Sequence, residues 1–262
     1  MTRILLTNDD GVHAEGLRVA EKIAAQVAGG TAEVWVVAPA SEMSGVGHCI
    51  SYTSPVRTEQ LGPRTFSVDG TPADCVLVAL SEILSDGPPD LVISGVNRGN
   101  NSAENTLYSG TVGAAMEAAL HGLRAVAMSQ FMGPATFGLK NTFEAAEAHG
   151  ASVIDRLLEH GVWQDQDYGA FYNVNFPPFP AAEVKGARIT AQGYRPECQF
   201  SAKAYDAPNR RRYYWLTGGM QHVASKPGTD AHANLEGYIS INPIRADLTD
   251  HALVDRLAGA FD

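Results

Sequence analysis

The chain has 262 residues, 45% of them hydrophobic and 18% charged, which suits one large α/β domain with an appendage. Its net charge of −10 excludes a protein that tracks a nucleic-acid polymer through a basic face, but a small phosphate can still be held by a cation or by backbone N–H groups. No apolar run reaches the roughly 18 residues of a membrane span, and Cys49, Cys75 and Cys198 lack the spacing of a zinc or disulfide framework.

In chain order, the start runs at once into Ile4-Leu5-Leu6 and reads as a strand rather than a signal peptide, so a cytoplasmic protein with reduced thiols is expected. Strand-length apolar runs fall at Arg3–Thr7, Glu33–Ala38, Asp90–Ser94 and Ala125–Ser129. They are apolar on both faces, as in parallel strands buried under helices. Helical stripes lie between and after them: Leu17, Ala20, Ala24 and Val27, then Val112, Ala115, Met116, Ala119, Leu120 and Leu123. A third runs from Phe143 to Leu158, with a break or bend expected near Gly150. This alternation predicts an α/β fold with a Rossmann-like, doubly wound and mostly parallel sheet, whose ligands collect at the carboxyl ends of the strands.

Beyond residue 170 the pattern changes. Phe171–Phe176 and Arg188–Gln192 read as strands, joined by the rigid Pro177–Pro180 connector. Residues 193–232 are polar and aromatic, with Arg210–Trp215 at their centre, and read as an extended hairpin or arm. Glu236–Ile244 reads as a returning strand and Arg245–Leu257 as a final helix. The expected organisation is therefore a core over 1–192, an arm over 193–232, and a strand and helix over 233–262.

The polar residues at the strand ends carry the chemistry. Asp9 and Asp10 follow the first strand, and a turn closed by Gly11 can bring both carboxylates to one centre. Two close carboxylates repel unless a cation or a proton intervenes, so the pair suits a hard divalent metal. Asn8-Asp9-Asp10-Gly11 is equally good turn chemistry, and both readings stand on the pattern alone. Ser109, Gly110 and Thr111 precede a helix, as an N-cap or as a phosphate cradle. Asn97, in the glycine- and asparagine-rich loop 95–101, is a neutral oxygen ligand or a residue tolerating left-handed backbone. Ser44 is a ligand or a loop residue, and the nearby His48 an acid, base, phosphate contact or structural group. No P-loop, nucleophile elbow, H-E-x-x-H or G-x-G-x-x-G sequence competes.

Taken together, Thr7–Gly11, Ser44–His48, Gly70–Val76, Ser94–Gly99 and Tyr108–Val112 resemble the SurE family of nucleotidases, and Gly228–Asp230 with Gly237–Pro243 resemble its C-terminal strand. Residues 131–225 match loosely. The resemblance implies one Mg²⁺ or Mn²⁺ per subunit held by Asp9, Asp10, Ser44 and Asn97. It implies phosphate contacts from Ser109, Gly110 and Thr111, with Asn97 also near the substrate. It implies removal of phosphate from nucleoside 5′- and 3′-monophosphates, with polyphosphate as a further substrate, and a homodimer or homotetramer formed through the C-terminal arm. The nucleophile is a metal-bound water or one of the two aspartates. A phosphatase for another small ester and a non-catalytic nucleotide-binding regulator are the alternatives. The loop Asn100–Thr106 departs from the family's usual residues, which bears on the shape of the substrate pocket.

Overall fold

The computed structural model describes residues 2–196, 198–209, 211–223 and 225–260. Among them the strands are β1 (Arg3–Thr7), β2 (Glu33–Pro39), β3 (Thr58–Gly62), β4 (Thr65–Val68), β5 (Leu91–Arg98), β6 (Ala125–Gln130), β7 (Phe171–Phe176), β8 (Ala187–Ile189), β9 (Ser201–Asp206), β10 (Arg212–Thr217) and β11 (Ile239–Ile244). Nine of them form one sheet in the order β3-β4-β2-β1-β5-β6-β7-β11-β8. Its centre, from β4 through β7, is parallel, while β3 and β11 pair antiparallel to their neighbours β4 and β7.

The double-sided apolar pattern has its counterpart in two cores. Ile4 and Leu6 of β1 face one layer of helices, where α1 (Glu15–Ala24) contributes Leu17, Ala20 and Ile23, and α4 (Glu144–His160) contributes Val153 and Ile154. Leu5 faces the other, with Cys75 and Val76 of α2 (Pro72–Val78) and Val112, Ala115 and Ala118 of α3 (Gly110–Leu120). This is the expected doubly wound α/β sheet.

The expected bend near Gly150 is absent: α4 is one continuous helix, and Gly150 serves packing instead. A Cβ there would stand 2.6 Å from Ile23 Cδ1, so its missing side chain lets α1 lie against α4. Strand β5 runs past Ser94 to Arg98, because after an irregularity in register Asn97 and Arg98 pair with Ser129 and Gln130. The C-terminal boundaries shift. Ala191 leaves the sheet to bridge Thr229, which ends β8 early, and residues 230–235 form α5 (Asp230–Leu235) before β11 begins. The final helix, α6 (His251–Leu257), starts only after Asp250, whose carboxylate caps it by accepting from the N–H of Leu253 at 3.0 Å.

The polar hairpin β3–β4 at the sheet edge was not expected, nor was α2. The latter carried a readable start signal: Thr71 caps the Asp74 N–H and Asp74 returns a bond to the Thr71 N–H, with Pro72 in the first turn. Strands β9 and β10 form a separate antiparallel hairpin in which every strand residue is exposed. Arg210, part of the basic aromatic segment, lies outside the described residues.

Candidate active site

The loops after β1, β2 and β5 and the start of α3 meet at the carboxyl edge of the sheet, where open α/β folds take their ligands. There they enclose a cleft of about 530 Å³ whose wall includes Asp9, Asp10, Ser44, Asn97 and Ser109. The turn and ligand readings of the first loop are compatible. Asn8 closes the turn, accepting from the Gly11 N–H at 3.2 Å and donating to the Gly11 carbonyl at 2.9 Å, so both aspartates are spared for the cleft. The second loop is bound to the first by the Met43 N–H, which donates to the Asp9 carbonyl at 2.7 Å, and to the start of α3 by Gly47 N–H on the Tyr108 carbonyl at 2.9 Å.

Asp9 is 4% exposed. Burial pushes its carboxyl up to about 6, opposed by the Thr111 hydroxyl and reinforced by the charge of Asp10. Burial also raises Asp10, against the Arg98 N–H that donates to Oδ2 at 3.1 Å and with the charge of Glu42 adding to the rise. Two adjacent carboxyls that both resist ionisation mark a place short of positive charge. Among the described residues no group of three or more His, Cys, Asp or Glu side chains is set to hold a metal. A cation here would therefore need neutral oxygens beside the two carboxylates. Ser44 supplies a hydroxyl, donating at 2.8 Å to Glu42 Oε1. Asn97 engages its amide nitrogen with the Gly99 carbonyl at 3.2 Å, so its oxygen is the atom that could serve a cation. This all-oxygen set fits a hard divalent ion such as Mg²⁺ or Mn²⁺.

The cap and first two residues of α3 divide. Ser109 lines the cleft and also caps the helix, accepting from the Val112 N–H at 3.1 Å. Thr111 is fully buried and stands behind Asp9, its hydroxyl donating to Asp9 Oδ1 at 2.5 Å. Gly110 lets the two segments touch: a Cβ there would lie 2.9 Å from the Asp9 Cβ and 3.1 Å from the Pro72 Cγ. His48 is away from the cleft wall, with Nε2 2.5 Å from Glu117 Oε2, and serves to tie its loop to α3. The asparagines of the third loop do not occupy left-handed backbone. Among the described residues the only positive φ outside glycine is at Ala103, and Gly95 and Gly99 take the positive angles of the loop.

The family described as Survival protein SurE matches residues 4–198. The chain belongs to the SurE family. It is 58% identical over 256 residues to a protein of Cereibacter sphaeroides named 5′-nucleotidase SurE, covering 98% of this chain and 97% of that one. A relative of the same name from Roseobacter denitrificans is 57% identical over 257 residues, with 98% of each chain covered. In three dimensions the fold resembles a crystal structure of the SurE protein from Aquifex aeolicus, with a TM-score of 0.81, 33% identity, and 99% and 100% of the two chains covered. The SurE match thus continues through the part of residues 131–198 where the motifs are loose.

The far wall of this SurE cleft comes from residues that no motif announced. Phe200 and Gln221 reach it from the two legs of the arm, beside Asn100, Asn105 and Tyr108. The floor of the third loop is a polar lattice: the Asn101 N–H donates to Asn175 Oδ1 at 2.7 Å, its side chain to Ser129 Oγ at 2.8 Å, and Asn173 to the Asn101 carbonyl at 2.7 Å. Buried polar residues in the apolar strand Phe171–Phe176 were the available signal, since buried amides need partners.

Proposed function

We propose that the protein is a divalent-metal-dependent phosphomonoesterase that removes phosphate from nucleoside 5′- and 3′-monophosphates, with polyphosphate as a further substrate class. The observation that carries this function is the single cleft in which Asp9, Asp10, Ser44 and Asn97 meet Ser109 at the start of α3. The SurE relatives named 5′-nucleotidase support it, at 58% and 57% identity. One Mg²⁺ or Mn²⁺ would be held by Asp9, Asp10, Ser44 and Asn97, and when bound it would supply positive charge against a phosphate oxygen. Ser109 and the first N–H groups of α3 present the positive end of the helix dipole to the same phosphate. Thr111 holds Asp9 from behind and fixes the direction of its carboxylate. Hydrolysis breaks the ester P–O bond: water adds to phosphorus, and the nucleoside leaves with a proton on its oxygen. Of the pair Asp9 and Asp10, the second carboxylate would assist by taking the proton that the attacking water gives up.

The core 1–192, the arm 193–232 and the returning segment 233–262 are the working units of this function, with the arm joining subunits into a dimer or tetramer. Exposed Tyr205, Tyr213, Tyr214, Trp215 and Leu216 on β9 and β10 support that role, because clustered exposed apolar side chains commonly mark an interface. Among the described residues no helix is long and apolar enough to cross a membrane, and a cytoplasmic location is part of the proposal. The decisive experiment is phosphate release from a panel of 5′- and 3′-nucleoside monophosphates with Mg²⁺, Mn²⁺ or chelator, for the wild type and Asp9→Asn. Metal-dependent turnover lost in a folded Asp9→Asn supports the function, and turnover in chelator or in the variant at saturating Mn²⁺ overturns it. Light scattering on the full chain and on one whose 201–217 hairpin is replaced by a short turn tests the arm.

A further inference from the structure

The far wall of the cleft differs in chemistry from the acidic one. Tyr108 and Phe200 meet edge to face there, ring centroids 4.9 Å apart and planes at 66°. Both rings keep open area, at 45% and 49% exposure. Next to them Gln221 Oε1 accepts from Asn105 Nδ2 at 2.6 Å and from Asn100 Nδ2 at 3.3 Å, and Gln221 Nε2 donates to the Gly219 carbonyl at 3.1 Å. This wall offers aromatic faces and neutral amides. Among the described residues the cleft's one basic side chain is Arg98, the last residue of β5.

We infer that the Tyr108–Phe200 pair with the Asn105–Gln221 amides forms a nucleobase subsite, and that Phe200 sets the preference for substrates carrying a base. The inference rests on the nucleotidase function proposed above and adds which residues read the nucleoside. A base slotted between two parallel rings needs about 7 Å between them, twice the contact distance of carbon atoms. The 4.9 Å spacing closes that slot, so the base lies against the open face of one ring, with its polar edge toward the amides. A cleft of about 530 Å³ has room for a phosphate at the carboxylates and a base at this wall.

Phe200 is held for this purpose. Arg195, 1% exposed, anchors the first leg of the arm by donating to Glu104 Oε1 at 2.9 Å, the Ser102 carbonyl at 3.1 Å and the Gln221 carbonyl at 3.1 Å. The second leg presses on the first at Gly219, where a Cβ would lie 2.4 Å from the Cys198 Cα. Phe200 and Gln221 therefore project from a clamped base of the arm, not from its free hairpin.

The test uses the full chain with Mn²⁺ and compares kcat/KM for 5′-AMP with that for ribose 5-phosphate, the same ester without a base. Phe200→Leu should lower the ratio of the two about tenfold, the loss of one stacked contact, and Phe200→Tyr should restore it. A ratio within twofold of wild type in a folded Phe200→Leu, or one that Phe200→Tyr leaves depressed, overturns the subsite. Wild-type turnover of ribose 5-phosphate without turnover of any nucleotide overturns instead the nucleotidase function on which it rests.

Discussion

The bond between Thr111 and Asp9 offers a sharp test, because it touches the proposed metal site without removing a proposed ligand. In Thr111→Val the shape is nearly kept while the donor to Asp9 Oδ1, at 2.5 Å, is lost. A buried hydrogen bond to a charged group contributes about 1.5–3 kcal/mol, so the metal-free variant should melt several degrees lower. The larger effect falls on the cation. The Thr111 hydroxyl opposes the burial that lifts the Asp9 carboxyl to about 6, so its loss lifts that carboxyl further and leaves more of it protonated at neutral pH. A metal must then displace that proton and find a less well-aimed oxygen, which should weaken Mn²⁺ binding roughly 10–100-fold. Calorimetric titration of wild type, Thr111→Val and Thr111→Ser at pH 7 measures this, and the serine variant should recover most of the affinity. Mn²⁺ binding within twofold of wild type by a folded Thr111→Val would refute the reasoning.

Three further outcomes follow from the same contacts. Gly110→Ala forces a Cβ to 2.9 Å from that of Asp9 and should cost about 1–3 kcal/mol in denaturant unfolding, with at least as great a proportional loss of phosphate release. Glu117 tests the loop tie: its carboxyl is held below the usual range, first by the hydrogen bond from His48 and then, against burial, by the charges of His48 and His121. A depressed acid stabilises above its unfolded value, about 4.3, and loses that contribution as pH falls through its folded value. Glu117→Gln should therefore be about 1–2 kcal/mol less stable at pH 6, a gap that closes in urea melts below about pH 4. Arg195→Met removes the anchor of the arm and leaves Glu104 without its cation, for a loss of about 3 kcal/mol. Limited proteolysis should then cut near residue 200 before the core opens.

Much of the sheet was legible because its cause is local. A strand buried on both faces is mostly apolar, and β1 falls where those runs predict while β2 and β6 differ by one residue; β7 lies where its own strand pattern predicts, with two buried asparagines in it. The acidic pair was legible because two adjacent carboxylates at a strand exit are costly without a partner. Polar edge strands were not legible: Thr58–Gly62 is largely exposed and carries no hydrophobic pattern. Gly150 misled because a glycine in a helix marks a weak point when the chain is read alone, and only the position of Ile23 shows that close packing requires it.

By itself, then, the sequence determined the α/β class, the inner strands, the arm, and the residues at the three strand exits, since periodicity and charge repulsion act between near neighbours. Tertiary structure decided which of those residues share a wall. It put Thr111 behind Asp9 across 102 residues of chain, engaged His48 with Glu117, and brought Phe200 and Gln221 from the arm into the cleft that holds the carboxylates. Such contacts depend on strand order and on how the arm's legs are clamped, and no spacing along the chain encodes either.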